Sequence, residues 1–256
     1  MPFLDSFEIN CPHDDFPFSV AAIRALAERG ETKFHPKVTF LIGENGMGKS
    51  TLLEGIADKW GFSEESGNRV QSAQGRSYFT EVGPEMRLAR DGRSGRPRNG
   101  FFLRAESFFN FATEMDEMEK DPWTANGYAA YGGKSLHKQS HGESFFSLFL
   151  NRFKGNGLYL LDEPEAALSP TRQMAFLVRL HDLIEENCQF VIATHSPIIL
   201  AYPEATIYEF SEEGVQQVAY EESQPYVVSR RFLNDHQRVV RDLLVDSSER
   251  PHGLAL

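Results

Sequence analysis

The chain has 256 residues, 41% of them hydrophobic, and a formal net charge of −11. That length suits one elaborated α/β domain with a sizeable core, and that charge argues against a surface coated in basic residues for nucleic acid. Cys11 and Cys188 make no disulfide framework, no apolar run reaches membrane-spanning length, and MPFLDSFEIN lacks the stretches of a secretory signal, so a cytoplasmic protein is expected. In chain order, residues 3–9 alternate well enough for an edge strand and 20–29 read as a helix. The run VTFLI at 38–42 is short, apolar and followed by Gly43, which reads as a buried strand feeding a loop. STLLEGIADK at 50–59 then reads as a helix, with Leu52, Leu53, Ile56 and Ala57 on its apolar side.

Residues 61–99 are polar and rich in Gly, Ser and Arg. Within them Arg87, Arg90, Arg93, Arg96 and Arg98 stand against Asp91 alone, and the glycines and Pro97 read as a mobile loop. Such a loop is either plainly solvated or a contact for phosphates, nucleic acid or a partner. A strand is expected at 100–104, a helix at 105–120, irregular chain at 124–140 and a helix from Gly142 to Arg152. The αβ pattern then returns with a strand, GLYLL at 157–161, ending on Asp162-Glu163. A helix over 170–187 opens on Pro170 after Ser169, a good N-terminal signal. QFVIA at 189–193 reads as a further buried strand, ending at Thr194-His195-Ser196. A hairpin around Gly214 and a final amphipathic helix over 229–245 complete the reading.

Chemistry gathers at the ends of these strands, the edge where open α/β sheets bind ligands. Gly43, Gly48, Lys49 and Ser50 satisfy the pattern G-x-x-x-x-G-K-[ST], with Gly46 between them. Strand, glycine loop and helix in that order are the context a phosphate loop needs. Glycines let the backbone curl its N–H groups inward, the helix start adds its own, Lys49 supplies a cation and Ser50 a hydroxyl for Mg²⁺. Asp162 can hold Mg²⁺ directly or through water, and Glu163 can orient and deprotonate an attacking water. Neighbours on a strand point to opposite faces, so both acids reach one site only if the backbone turns after β-structure ends. Glu165 reads as a plainer surface acid that could face the same cleft. His195 could hydrogen-bond a phosphate or the water. His137 and His141 lack a paired Glu after the first His, so no zinc is expected.

These segments together resemble the ATP-binding cassette ATPase superfamily, more closely its soluble SMC- and RecF-like side and small bacterial predicted AAA-family ATPases. Gly43 to Thr51 match Walker A, Leu158 to Glu163 match Walker B, and His195 matches the switch histidine. Ala166 to Ser169 match the D-loop, with Ser169 where many members carry Asp. Gln139-Ser140-His141-Gly142-Glu143 is similar to the signature motif, usually Leu-Ser-Gly-Gly-Gln. The likeness spans about residues 36–200. It implies an α/β P-loop NTPase fold of cassette type, a mixed sheet flanked by helices, in a single domain over 1–256. A small helical signature subdomain at roughly 105–155 is implied as an insertion.

The resemblance further implies ATP and Mg²⁺ as ligands and Glu163, His195 and Lys49 as catalytic groups. Gly43, Glu44, Asn45, Gly46, Gly48, Lys49, Ser50 and Thr51 would hold the phosphates. Two copies would sandwich the nucleotides, with Ser140, Gly142 and Glu143 of one capping the γ-phosphate held by the other. Ser140 and Glu143 also have capping-box spacing, a compatible reading. The usual Q-loop Gln is missing from FFLRAESFF, where Arg104 and Glu106 stand instead. Glu106 joins Ser50 and Asp162 as a candidate metal ligand. Phe34, His35, Phe16 and Phe18 are candidates for the adenine platform. A soluble ATPase that closes as a homodimer on ATP is therefore expected. The alternatives are the ATPase subunit of a transporter, which the missing Gln argues against, and a DNA/RNA maintenance or defence ATPase.

Overall fold

A computed structural model describes residues 2–63, 79–92, 95–104 and 141–244. Its central sheet has six strands in the order β5-β6-β7-β3-β8-β9. These are β3 (Val38–Gly43), β5 (Asn99–Arg104), β6 (Gly157–Asp162), β7 (Gln189–Ala193), β8 (Ala205–Ser211) and β9 (Gly214–Val218). All neighbours run parallel except the β8–β9 hairpin. A smaller antiparallel sheet, ordered β2-β1-β4, is built from β1 (Ser6–Ile9), β2 (Thr32–Lys33) and β4 (Met86–Ala89). The mixed sheet flanked by helices is the expected architecture.

The apolar runs explain the layering. Every residue of β3, β6 and β7 is buried, as central parallel strands covered on both faces must be. Their side chains alternate between two cores. Val38, Phe40, Ile42, Tyr159, Leu161, Phe190 and Ile192 pack with Leu148 and Phe149 of α4 (His141–Arg152) and with Phe176, Leu180 and Leu183 of α5 (Pro170–Glu185). Leu41, Leu158, Leu160, Val191 and Ala193 face the other way, against α1 (Ala21–Arg29) and α2 (Lys49–Trp60). α5 opens as expected: Pro170 is its first residue and the Ser169 hydroxyl accepts from the Arg172 N–H at 3.4 Å.

Several expectations need correction. The polar stretch after residue 61 contains α3 (Val82–Glu85) as well as β4, which pairs with β1 through Glu8↔Arg87. Arg87 is thus part of a sheet rather than of a mobile loop, and the Arg90 guanidinium lies 4.4 Å over the Trp60 ring. Arg93 lies outside the described residues, as do the expected helix at 105–120 and the irregular chain at 124–140. After α6 (Pro197–Leu200) and the hairpin, the final helix divides into α7 (Gln224–Asn234) and α8 (His236–Leu244). It begins earlier than expected because Pro225 fits a helical first turn, and it breaks where Asp235 leaves helical geometry at φ −149° and ψ 57°.

Candidate active site

β3, β6 and β7 are parallel neighbours, so their carboxyl ends bring Gly43, Asp162 and Ala193 to one edge of the sheet. The loop leaving β3 there enters α2 directly. Gly43 has φ 135°, and a Cβ on it would fall 2.2 Å from the Phe210 carbonyl oxygen on β8, so glycine is required for the two strands to pair. Gly48 is the left-handed N-cap of α2 at φ 92°. The start of α2 therefore presents its unpaired N–H groups at this edge.

Lys49 is only 4% exposed, and its Nζ donates to the carbonyls of Gly43 at 2.7 Å and Glu44 at 2.9 Å. Burial lowers its pKa, opposed by the charges of Glu163, Asp162, Glu44 and Glu165. The lysine thus holds its own loop closed and can exchange those carbonyls for anionic oxygens. Glu44, Asn45 and Gly46 form the exposed tip of the loop. The Gln224 side chain of α7 donates to the Glu44 carboxylate.

Ser50 Oγ donates to Asp162 Oδ1 at 3.1 Å. Asp162 is 8% exposed. Burial pushes its carboxyl up to about 6, with the Ser50 hydroxyl and the Arg104 charge opposing. Arg104 is the register partner of Asp162 on β5. Its Nη1 lies 2.9 Å from Glu54 Oε1 and its Nε 3.9 Å from Asp162 Oδ2. An arginine in an ion-pair network therefore occupies the place where the resemblance looks for Gln. Among the described residues no group of three or more His, Cys, Asp and Glu could hold a metal ion. The adjacent hydroxyl and carboxylate of Ser50 and Asp162 do form a hard oxygen pair, the donor type Mg²⁺ takes alongside phosphate and water. Glu106, the third proposed ligand, lies outside the described residues.

Glu163 follows β6 in the left-handed region, at φ 50° and ψ 53°, unusual for a residue with a side chain. Its N–H donates to the Ala193 carbonyl at 2.9 Å. This turn resolves the pleat problem posed by consecutive acids: Asp162 reaches Ser50 while Glu163 Oε1 lies 3.6 Å from His195 Nε2. That nitrogen is buried and has no hydrogen-bond partner among the described residues. Sequence reasoning places Glu165 only as a plainer surface acid that could face the same cleft, and misses the bonds it makes. Its carboxylate accepts from Thr194 Oγ1 at 2.8 Å and from the His195 N–H at 2.5 Å. It also missed Gln173, which accepts from Ser196 Oγ at 2.6 Å and donates to the Leu168 carbonyl at 2.9 Å. For Glu165 the available signal was Pro164, which forces a turn directly after the acidic pair.

The proposed capping segment is less complete. Gln139 and Ser140 lie outside the described residues, and Gly142 falls in the first turn of α4. Glu143 lies beside α5, its carboxylate 3.5 Å from Arg172 Nη2. Of the aromatic candidates, Phe34 is buried against Phe7 and Phe18 is buried edge-on to His13. His35 precedes β3, at the end remote from the loop, and its Nδ1 accepts from the Lys37 and Val38 N–H groups. Phe16 is the exposed one, at 72%.

Residues 142–201 match a family described as "AAA domain, putative AbiEii toxin, Type IV TA system". No curated protein matches the chain. Among solved structures, an ATP-binding cassette of an ABC transporter is 17% identical over 90% of this chain and 98% of its own, with a TM-score of 0.51. An inward-facing "putative metal-chelate type ABC transporter" is 16% identical over 90% of this chain and 88% of its own, with a TM-score of 0.50. The SMC head domain from Thermotoga maritima is 16% identical over 74% of this chain and 93% of its own. Its TM-score of 0.39 is too low to place the chain on the SMC side. The chain has a P-loop-type α/β fold. More particularly, that fold is the one seen in ATP-binding cassettes. Among the described residues no helix is long and apolar enough to cross a membrane.

Proposed function

We propose that the chain binds ATP with Mg²⁺ and hydrolyses it in the cytoplasm, two copies closing around the nucleotide. The convergence of Lys49, the Ser50–Asp162 pair and the Glu163–His195 pair at one sheet edge supports this most strongly. In this reading the backbone of Gly43, Glu44, Asn45, Gly46 and Gly48, with Thr51 at the start of α2, wraps the β- and γ-phosphates. Lys49 releases the carbonyls of Gly43 and Glu44 and takes phosphate oxygens instead. Mg²⁺ held by Ser50 and Asp162, and by Glu106, would neutralise charge on the transferring phosphate. Glu163 accepts the proton of the attacking water. His195 Nε2 supplies a hydrogen-bonding group to the γ-phosphate or to that water. Ser140, Gly142 and Glu143 of the second copy cap the γ-phosphate, a fitting role for a helix N-terminus.

Residues 142–201 match a family whose description names a toxin of a type IV system. That match favours a second reading of the biological role, a defence or DNA/RNA maintenance ATPase. Arg104 at the Q-loop place weighs against a transporter subunit. The test is phosphate release and ATP binding by the purified protein, with Lys49→Ala beside it and with DNA present or absent. The proposal expects release by the wild type and loss of both properties in Lys49→Ala. No release and no binding by the wild type would overturn it. Stimulation by DNA that falls in Arg93→Ala/Arg96→Ala would support the second reading, and its absence would count against direct nucleic-acid contact.

A further inference from the structure

β6 and β7 pair side by side, and each releases a short segment at the same edge: 163–169 after β6 and 194–196 after β7. Glu163 and His195 sit one on each segment, 3.6 Å apart. Neither segment alone fixes that gap. Glu165 spans it with both carboxylate oxygens: Oε2 accepts from Thr194 Oγ1 at 2.8 Å and Oε1 from the His195 N–H at 2.5 Å. Thr194 is fully buried, and its Oγ1 in turn accepts from the Ser196 N–H at 3.0 Å. Hydrogen bonds to an ionised acceptor are stronger than neutral ones. The bond to the His195 N–H acts on the peptide unit that carries the imidazole.

The other end of the bridge is equally firm. The turn Pro164–Ala167 is a 3₁₀ helix, closed by Ala166 N–H to the Glu163 carbonyl at 3.0 Å and Leu168 N–H to the Glu165 carbonyl at 2.9 Å. Moving Glu165 therefore moves Glu163. Gln173 adds a second tie between the segments, linking the Leu168 carbonyl to the Ser196 hydroxyl, which caps α6.

We propose that Glu165 is a positioning residue: its carboxylate clamps Thr194 and the His195 N–H to the turn after β6 and so sets the spacing of Glu163 and His195. The inference rests on the reading of that pair as the hydrolytic groups. Lys49 and Ser50 lie on α2, outside the clamp, and among the charges acting on Lys49 that of Glu165 is the smallest, so nucleotide affinity depends little on it. The clamp acts on the gap in which water and γ-phosphate meet, and misplacement of reacting groups by about 1 Å can cost on the order of a hundredfold in rate.

The test measures kcat and KM by phosphate release, the Kd of a fluorescent ATP analogue, and the ring resonances of ¹⁵N-labelled histidine in the nucleotide-free protein. For Glu165→Ala the clamp predicts a fall in kcat of about tenfold or more. KM and Kd stay within about twofold, and the His195 ring resonances move. Glu165→Gln recovers part of kcat, because its amide oxygen can take the His195 N–H, while the buried Thr194 hydroxyl, which already accepts from the Ser196 N–H, loses its own acceptor. If Glu165→Ala does not fold, Thr194→Val removes one of the two bonds and is expected to lower kcat by a smaller factor at unchanged Kd. A kcat within about twofold of wild type, a loss carried by Kd, or no recovery by Glu165→Gln would overturn the proposal. Should the wild type not hydrolyse ATP, the hydrolytic reading falls by itself, and the histidine resonances of Glu165→Ala still decide the clamp: unmoved, it is wrong.

Discussion

Gln189→Leu offers a perturbation whose size can be worked out from the fold. Gln189 opens β7 with 1% exposure and uses its whole carboxamide on the chain's N-terminal part. Oε1 accepts from the N–H groups of Phe3 and Leu4, both at 2.8 Å, and Nε2 donates to the carbonyls of Leu4 at 2.8 Å and His35 at 3.0 Å. Leucine is close in volume and satisfies none of these groups. Left in place, each orphaned group costs roughly 1–3 kcal/mol, a total that rivals the stability of a whole domain. The chain has a cheaper response, which is to release Phe3 and Leu4 to water. That forfeits the burial of two side chains now 1% and 0% exposed, worth about 3–6 kcal/mol together. Regained backbone freedom offsets about 1–2 kcal/mol per residue. The expected net loss is therefore about 1–3 kcal/mol, measured by urea unfolding, with hydrogen exchange at the Phe3 and Leu4 amides rising far more than elsewhere. Unchanged stability with those amides still protected would refute the reasoning.

Other expectations follow from single contacts. The Asp162 carboxyl titrates at about 6 in the fold against 3.8 for a free side chain. Below the lower value it is neutral in both states; between the two the unfolded chain ionises first, so stability falls as pH rises, by up to about 3 kcal/mol at neutral pH. Asp162→Asn is thus expected to raise the melting temperature of the ligand-free protein at pH 7 and to leave it nearly unchanged near pH 3.5; an equal effect at both would contradict this. Gly43→Ala places a methyl 2.2 Å from the Phe210 carbonyl oxygen at φ 135°; overpacking and backbone strain together should cost about 3 kcal/mol or more, and an unfolding midpoint like the wild type's would contradict it. Tyr159→Phe removes a hydroxyl that donates to the Lys154 carbonyl at 2.6 Å and accepts its N–H at 2.7 Å. A loss of about 1–2 kcal/mol is expected, and denaturant unfolding would detect it.

The parts of the fold legible beforehand are those where local pattern and final burial agree. VTFLI, GLYLL and QFVIA are continuous apolar runs because both faces of their strands are covered, and the glycine loop is readable because Gly43 and Gly48 occupy conformations other residues avoid. β4 was not readable: MRLA is short, and its strand state comes from pairing with β1, a partner about eighty residues away in sequence. The division between α7 and α8 was missed because the apolar periodicity runs on through Asp235, and the break is a matter of backbone angle rather than of hydrophobicity. In the site, Lys49 and Ser50 announce themselves by the glycine-loop pattern that opens α2, and Asp162, Glu163 and His195 by residue type at or just past a strand end. Glu165 and Gln173 do not, since what matters in them is a bond to a neighbouring strand's loop, and only the parallel register of β6 and β7 brings that loop within reach.

The most direct measurement for the central claim is sedimentation of Glu163→Gln with Mg²⁺ and ATP, compared with ADP, alongside its rate of phosphate release. Removing a general base typically costs 10²–10⁴-fold. Turnover is expected to fall by about a hundredfold or more, and the variant to sediment as a dimer with ATP but not with ADP. A variant that stays monomeric with ATP and releases phosphate at the wild-type rate would contradict it.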